Sequence, residues 1–569
     1  MKKIIFLFSI AFIYTCQLGA QTPSWSWAER PGCTLVNEGN AVTTDAAGYI
    51  YATGYFTSPI ITFGNITLTN SDSTGSSANV YVVKYTPQGN AIWARTLNDN
   101  GSDYANGITT DSHGNVYVTG EFDSDTIYFG VSTLINYGSG DVFLAKFDSS
   151  GNALWAKGAG GTNTDYGSGV ATDTSGNVYI TGTFISAVIE FDSIKIRNRG
   201  GGCCAEDIFI AKYTSAGKLL WAKGDGGSSS DFGKAIATDI EGNAYITGQF
   251  ASPYIVIGND TLTNSVSSVG AKLLTSDIFI AKYNPAGNVV WAHDAGGIAN
   301  DYACGITTFN NDVYITGAFA SDSITFDTIH MIKSFTGGSC NIFITKYDSS
   351  GNAIWARQPQ CMKITGDNIG YGINASTGGK INITGIFSDS TVSFGSSTLI
   401  NAGYADIFVT QYDTSGNPEW ALSAGSNNND YSNCITTDPN GYIYITGYFE
   451  DSILVFGNLP ALFDTGGTYN PPSIFIAKLN PGITVGINEK TVQNPTIVTV
   501  YPNPANSVFA VGIPASSTDI KIYNSLGQIV TQTKVTEETK EYFSLSESGI
   551  YFVSVTTAKG IITKKVVVY

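Results

Sequence analysis

DSHGNVYVTGEF, from Asp111 to Phe122, decides the fold because it recurs. Its copies begin at Asp45, Asp173, Asp239, Phe309, Gly378 and Asp438, which makes seven in all. Each reads as a tight Asp-x-x-Gly-Asn turn and then a strand of alternating apolar residues that stops at Thr-Gly. Repetition at a fixed period names an architecture more firmly than any other feature of a sequence.

Outward from this stretch, three more phrases fill each period. A short strand precedes it, as in GITTD (Gly107 to Asp111) and AIATD (Ala235 to Asp239). A variable insertion of the form IxFGxxTLxN follows it, clearest at Ile127 to Asn136 and Val392 to Asn401. Then comes a strand such as DIFIAKY (Asp277 to Tyr283), a short turn, and a strand carrying one tryptophan. The tryptophans fall at Trp27, Trp93, Trp155, Trp221, Trp291, Trp355 and Trp420, and their spacing stays between 62 and 70 residues. Four antiparallel strands with one elaborated connection form a unit whose two faces must both be covered, so the units stack.

The reading that follows is all-β: a seven-bladed β-propeller, in which sheets pack radially and leave only short edges. The first tryptophan strand lacks a partner before it, and the last such partner, SIFIAKLN (Ser473 to Asn480), lacks a tryptophan strand after it. Closure by the N-terminal strand reconciles the two. The GNVYVTG and FxAKYDxxGNxxWA phrases resemble the bacterial family of seven-bladed β-propeller (SBBP-type) repeats, over about Trp25 to Asn480. The resemblance implies the fold and an exported setting but no common reaction. The sixth unit departs most, with INITG at Ile381 to Gly385 and no Asp-x-x-Gly-Asn turn.

Both ends read as export elements. Lys2 and Lys3, an apolar stretch from Ile4 to Tyr14, and Leu18-Gly19-Ala20 make residues 1–20 a signal peptide. No segment nears the ~18 apolar residues of a transmembrane helix. The repeats occupy residues 21–480, a linker follows at 481–496, and 497–569 alternate as a small C-terminal β-sandwich. That tail resembles the C-terminal (type A) sorting domain of type IX secretion, familiar from Bacteroidetes-type bacteria. The matching marks are Tyr501-Pro502-Asn503-Pro504, the Asn524 to Gly527 turn, Gly549 with Tyr551, and Lys564-Lys565. The resemblance implies the type IX machinery as partner and a secreted or outer-membrane surface location.

Composition narrows the partners. A formal charge of −17 argues against nucleic acid and anionic membranes. Cysteine positions ignore the repeat, no CxxC pair occurs, and only His113, His293 and His330 supply imidazole, so neither a zinc site nor a cofactor is expected. Cys340 and Cys361 flank one hairpin whose turn lies at Asp348 to Asn352, and are expected to pair as a disulfide.

Candidate chemistry is sparse. Gly-rich pieces such as GAGGTN (Gly158 to Asn163) precede no helix, so they are turns and not phosphate cradles. Each inner strand opens with an acid and usually a ring: Asp103-Tyr104, Asp165-Tyr166, Asp231-Phe232, Asp301-Tyr302, Asp430-Tyr431, and Asp367 without the ring. Either these acids hold loop backbone while the rings pack, or together they circle one channel mouth and bind a cation or sugar. A binding scaffold, adhesive or glycan-binding, is the favoured function. An extracellular polysaccharide hydrolase or lyase is the alternative, though no catalytic residue can be named. The long connections fall on the same side as the acid-ring loops, and that side is expected to bind.

Overall fold

Five copies of the repeated stretch each form a hairpin held by its own aspartate. Asp111 Oδ1 accepts from the backbone N–H of His113 and Asn115, and Oδ2 accepts from the buried Tyr117 hydroxyl at 3.0 Å. Gly114 turns the chain at φ +76°, a conformation that costs glycine little. The fifth copy lacks this glycine and turns instead on Asn310 and Asn311, both at positive φ. The computed structural model describes residues 22–97, 100–200, 205–265, 275–333, 339–361, 366–464, 471–482, 498–513, 517–524, 528–535, 540–557 and 560–569. The expected signal peptide and most of the linker lie outside them, as do Cys203, Cys204 and Gly527. The chain divides into two compact units, Met1–Thr484 and Val485–Tyr569. Every regular element described is a strand.

In the first unit an antiparallel four-strand pattern repeats. The second repeat runs from an inner strand, Asp103–Thr110, through Val116–Phe122 and Asp141–Phe147 to an outer strand, Ala153–Gly160. Among the described residues the pattern occurs seven times. In the last occurrence the outer strand is Ser24–Glu29, which pairs antiparallel with Ser473–Asn480 and sets Trp27 opposite Lys478. Apolar clusters form between consecutive sheets: one joins Tyr117 and Val142 to Val178 and Phe184, and another joins Val42 and Ala52 to Tyr444 and Ile474.

Tryptophan and lysine tie six of the seven sheets to the next. Trp93 Nε1 and Lys84 Nζ both donate to Ser149 O, at 3.1 and 3.0 Å, in the turn of the following sheet. The same double contact joins Trp155 and Lys146 to Ser215, Trp221 and Lys212 to Pro285, Trp291 and Lys282 to Ser349, and Trp355 and Lys346 to Thr414. Trp27 and Lys478, from opposite ends of the unit, converge likewise on Pro87 O. Trp420 differs. The sheet after it is assembled from two separate pieces of chain and has no hairpin turn to offer a carbonyl. Gln411 stands where the others have lysine, and its Oε1 accepts from Trp420 Nε1 at 3.0 Å. Its amide donates to Asn382, in the INITG segment, at 2.8 Å. The irregularity of the sixth repeat is thus a local repair.

The insertions form two-stranded ribbons, such as Thr126–Phe129 with Ser132–Ile135. Ile127, Phe129 and Leu134 sink into the cluster between sheets. Ribbons also pair with the outer strand of the preceding sheet, as Phe191 does with Ala159 and Phe326 with Ala295. They therefore serve to brace neighbouring sheets.

The expected Cys340–Cys361 disulfide is absent; both are buried free thiols. The outer strand ends at Arg357, opposite Ile344, before the hairpin can extend to Cys361. Cys361 instead pairs in the ladder with Val392, and its thiol donates to Asn341 Oδ1 at 3.0 Å.

The second unit has two antiparallel ladders. Thr499–Asn506, Val508–Gly512 and Lys540–Ser544 make one; Ile529–Lys534, Ser517–Tyr523, Gly549–Thr557 and Gly560–Val568 make the other. A parallel pair, Ala505 with Val568, links them, and Val511, Ile520, Val553 and Val566 fill the core. Asn503 fastens the Tyr501–Pro504 segment to the last strand, donating to Lys565 O and accepting from Val567 N. Tyr551 donates to Glu547 O, while Tyr501 is exposed.

Candidate functional site

A bulge in the inner strand builds the site. In the second repeat the ladder register shifts between Ala105 and Gly107, so Asn106 is an extra residue with no partner of its own. The same shift recurs at Asn40 and Asn433. The bulge presses the Tyr104 carbonyl onto the neighbouring strand, where a Cβ on Gly120 would lie 1.9 Å from that oxygen. The recurrent Thr-Gly follows from this: glycine clears the bulge, and the fully buried Thr119 donates to Phe143 O at 2.7 Å.

A cavity of about 520 Å³ opens beside these bulges. Tyr55, Tyr104 and Tyr166 give it aromatic walls, Asn40, Asn106 and Asn433 give it amides, and Glu38 and Glu121 give it carboxyls. Glu121 lies opposite Tyr104 in the ladder, Glu38 lies opposite Tyr55, and the Tyr55 and Tyr104 rings meet edge-on at 4.8 Å. The three amides are oriented alike. Each donates its N–H to a backbone carbonyl at 3.0 Å: Asn40 to Ala105, Asn106 to Gly167 and Asn433 to Gly39. Each amide keeps its oxygen and a second N–H beyond that bond.

Burial pushes the Glu121 carboxyl up to about 7, helped by the nearby charges of Asp123 and Asp103. Burial also raises Glu38, against a hydrogen bond from Tyr55 and with the charge of Glu450 adding to it. Low dielectric and like charge are the two ordinary causes of such shifts.

The expected acid-ring pairs divide between sheet and cavity. Asp103, Asp165, Asp231, Asp301 and Asp430 are fully buried. Asp103 accepts from the N–H of Asp123 and Ser124 and from the Ser124 hydroxyl at 3.0 Å. Asp301 holds Ala320 and Ser321 in the same manner, and Asp165 holds Ile185 and Ser186. Of the rings, Tyr104 and Tyr166 reach the cavity. Phe232 sits under Lys234 Nζ at 5.1 Å, Tyr302 donates to Cys340 Sγ at 3.4 Å, and Tyr431 stacks on Tyr448 at 4.7 Å. Asp367 is a correction. The repeat position belongs to Asn368, which is buried and accepts from Ser388 N and Asp389 N, while the exposed Asp367 accepts from Cys340 N.

Four of these acids face a second buried acid, at the start of the third strand of the preceding sheet. Asp165 is held up at about 7 by burial and by Asp141, and Asp430 at about 8 by burial and by Asp406. Asp231 with Asp207 and Asp301 with Asp277 complete the set. The Gly-rich pieces now have their reason: a Cβ on Gly160 would lie 1.9 Å from Asp141 Oδ1.

Glu38 and Glu121 are the residues that repeat reasoning missed. The available signal was departure from the pattern. Glu38 stands where five other repeats carry a ring and the sixth carries Ile369, and Glu121 stands where they carry tyrosine, threonine, glutamine, alanine or isoleucine.

Residues 499–569 match the family described as the secretion system C-terminal sorting domain. Residues 92–124, 154–183, 224–249 and 419–448 match the beta-propeller repeat. The chain is 26% identical over 502 residues to an uncharacterized WD repeat-containing protein of Acanthamoeba polyphaga mimivirus, covering 72% of this chain and 36% of that one. It is 28% identical over 152 residues to the regulatory protein FlaEY of Caulobacter vibrioides, covering 26% and 15%. The chain therefore spans little more than a third of the first relative's length and 15% of the second's. Among solved structures, Sqt1 from Chaetomium thermophilum overlaps 79% of this chain and 99% of its own at 8% identity, TM-score 0.33. PorZ, a surface component of the type IX secretion system of Porphyromonas gingivalis, overlaps 93% and 81% at 11% identity, TM-score 0.19. Overlaps at these scores carry no weight for function.

Proposed function

We propose that this chain, which carries β-propeller repeats and a secretion system sorting tail, is a closed seven-bladed scaffold that binds glycan outside the cell. The tail directs export through type IX secretion to the cell surface or extracellular space. Closure is supported by the N-terminal strand in the last sheet, by Trp27 and Lys478 meeting on Pro87 O, and by the apolar cluster shared by first and last sheets. The division into residues 21–480, 481–496 and 497–569 belongs to the same reading. Deleting residues 498–569 should leave the thermal transition of the repeats in place and abolish export. Appearance of the truncated protein outside the cell would contradict the role given to the tail.

The observation that carries the binding reading is the aromatic cavity beside the bulged strands. Tyrosine rings offer flat apolar faces with a polar rim, which suits the two-sided chemistry of a pyranose. Replacing Tyr104 or Tyr166 by alanine should weaken glycan binding by about 2 kcal/mol, as for a central contact residue. Asn152→Ala and Asn288→Ala, in exposed turns between third and outer strands, should leave it unchanged. Array binding of the four variants checks this; loss confined to the turn variants would refute the site.

A second reading, polysaccharide hydrolysis, draws on the Glu121 carboxyl held near 7, where a general acid keeps its proton at neutral pH. Release of reducing ends from a bound oligosaccharide, lost in Glu121→Gln, would favour it over simple binding.

A further inference from the structure

Among the described residues, the cavity wall carries carboxyls with no basic side chain beside them. Three asparagines each commit one N–H to a backbone carbonyl, which fixes the amide and leaves its oxygen and second N–H for other contacts. Two carboxyls add further acceptors, and both arise where this chain breaks its own repeat. The tyrosine rings present electron-rich faces, which attract ammonium groups. Among the described lining residues there is no lysine, arginine or histidine. The net charge of −17 deepens the attraction for cations at long range.

From this we infer that the cavity selects an amine-bearing sugar, with the ammonium seated between Glu38 and Glu121 and a ring face laid against Tyr104 or Tyr166. The inference rests on the glycan-binding reading above and names the class of glycan. A neutral sugar would satisfy the rings but forgo the charge pairing by which an ammonium favours the ionised form of a partly desolvated carboxyl. A lysine side chain would supply the charge on a flexible stem, but it has no rigid apolar face to cover the rings or separate hydroxyl donors for the amide oxygens. An amino sugar supplies all three from one rigid body.

The test is calorimetric titration of the full-length protein at moderate salt with two probes: a β-1,4 tetramer of glucosamine and the same tetramer fully N-acetylated. The expected result is at least tenfold tighter binding of the free amine. Glu121→Gln and Glu38→Gln should each reduce that preference about fivefold or more. Equal or tighter binding of the acetylated tetramer overturns the amine assignment while leaving glycan binding intact. Unchanged preference in both glutamine variants also overturns it, since the attraction would then come from overall charge. A lysine tetrapeptide that outcompetes the amino sugar overturns the sugar. Failure of both tetramers to bind sinks the inference and glycan binding together.

Discussion

Removing residues 22–31 should cost the repeat unit at least about 5 kcal/mol, because the segment does three separate jobs. It supplies the outer strand of the last sheet, paired with Ser473–Asn480. It buries Trp25 against Phe456, ring centroids 4.8 Å apart, in a cluster with Phe475 and Leu479. It also brings Arg30 into an ion pair with Asp464 and sets Trp27 on Pro87 O. Truncating one large buried aromatic alone typically costs about 3–5 kcal/mol, so Trp25→Ala isolates part of the effect. Exposing the edge of Ser473–Asn480 should also promote self-association. Thermal unfolding and sedimentation of the deletion variant provide the measurement. A variant that melts with the parent and stays equally soluble would mean that the first strand is an ornament.

Mild acidification should stabilise the repeats. Asp165, Asp231 and Asp277 are held at about 7 and Asp430 at about 8, burial being the largest cause in each. The corresponding unfolded value is about 3.9. A raised folded pKa means that the folded state keeps a proton which the unfolded chain has lost. Stability therefore falls as pH rises between the two values, by about 1.4 kcal/mol per pH unit for each such carboxyl acting alone. Paired acids share protons, so their effects add only in part. The melting temperature should climb from pH 8 to pH 6. The double change Asp406→Asn with Asp430→Asn should raise it at pH 8 and flatten its slope. The chain already makes this exchange at another junction, where Asn341 and Asn368 replace the acids. A melting temperature that is flat, or that falls on acidification to pH 6, would show that the pairs are not protonated as described.

The architecture could be read from residue order because the turn and strand signals are local. Asp111, Gly114 and Tyr117 act within seven positions of one another, and seven copies reinforce the reading. The candidate site was harder to read because it depends on bulges. A bulge leaves no mark in alternation, and it alone decides that Asn106 turns its amide to the next strand. Regularity misled in two ways. It drew attention to acids that hold loop backbone in five sheets, and away from Glu38 and Glu121, which appear once each. Counting by period also placed Asp367 one residue early, since the sixth repeat opens on Asn368. The cysteine pairing failed for a topological reason: a midpoint fixes symmetry about a turn but not where the outer strand stops.

Gln411 has a meaning for the history and redesign of the chain. It marks the seam, the one place where a tryptophan must find its acceptor within its own sheet. A circular permutant that joins the present ends and opens the chain at another turn would move the seam without moving the glutamine. Such a molecule would need lysine at 411, a fresh hairpin after it, and a glutamine beside whichever tryptophan then preceded the cut. Duplication of whole repeats is constrained in the same way, since a copy inserted after Trp420 would find a side chain already committed elsewhere. The position of the seam is thus written into the interior and not left to the loops.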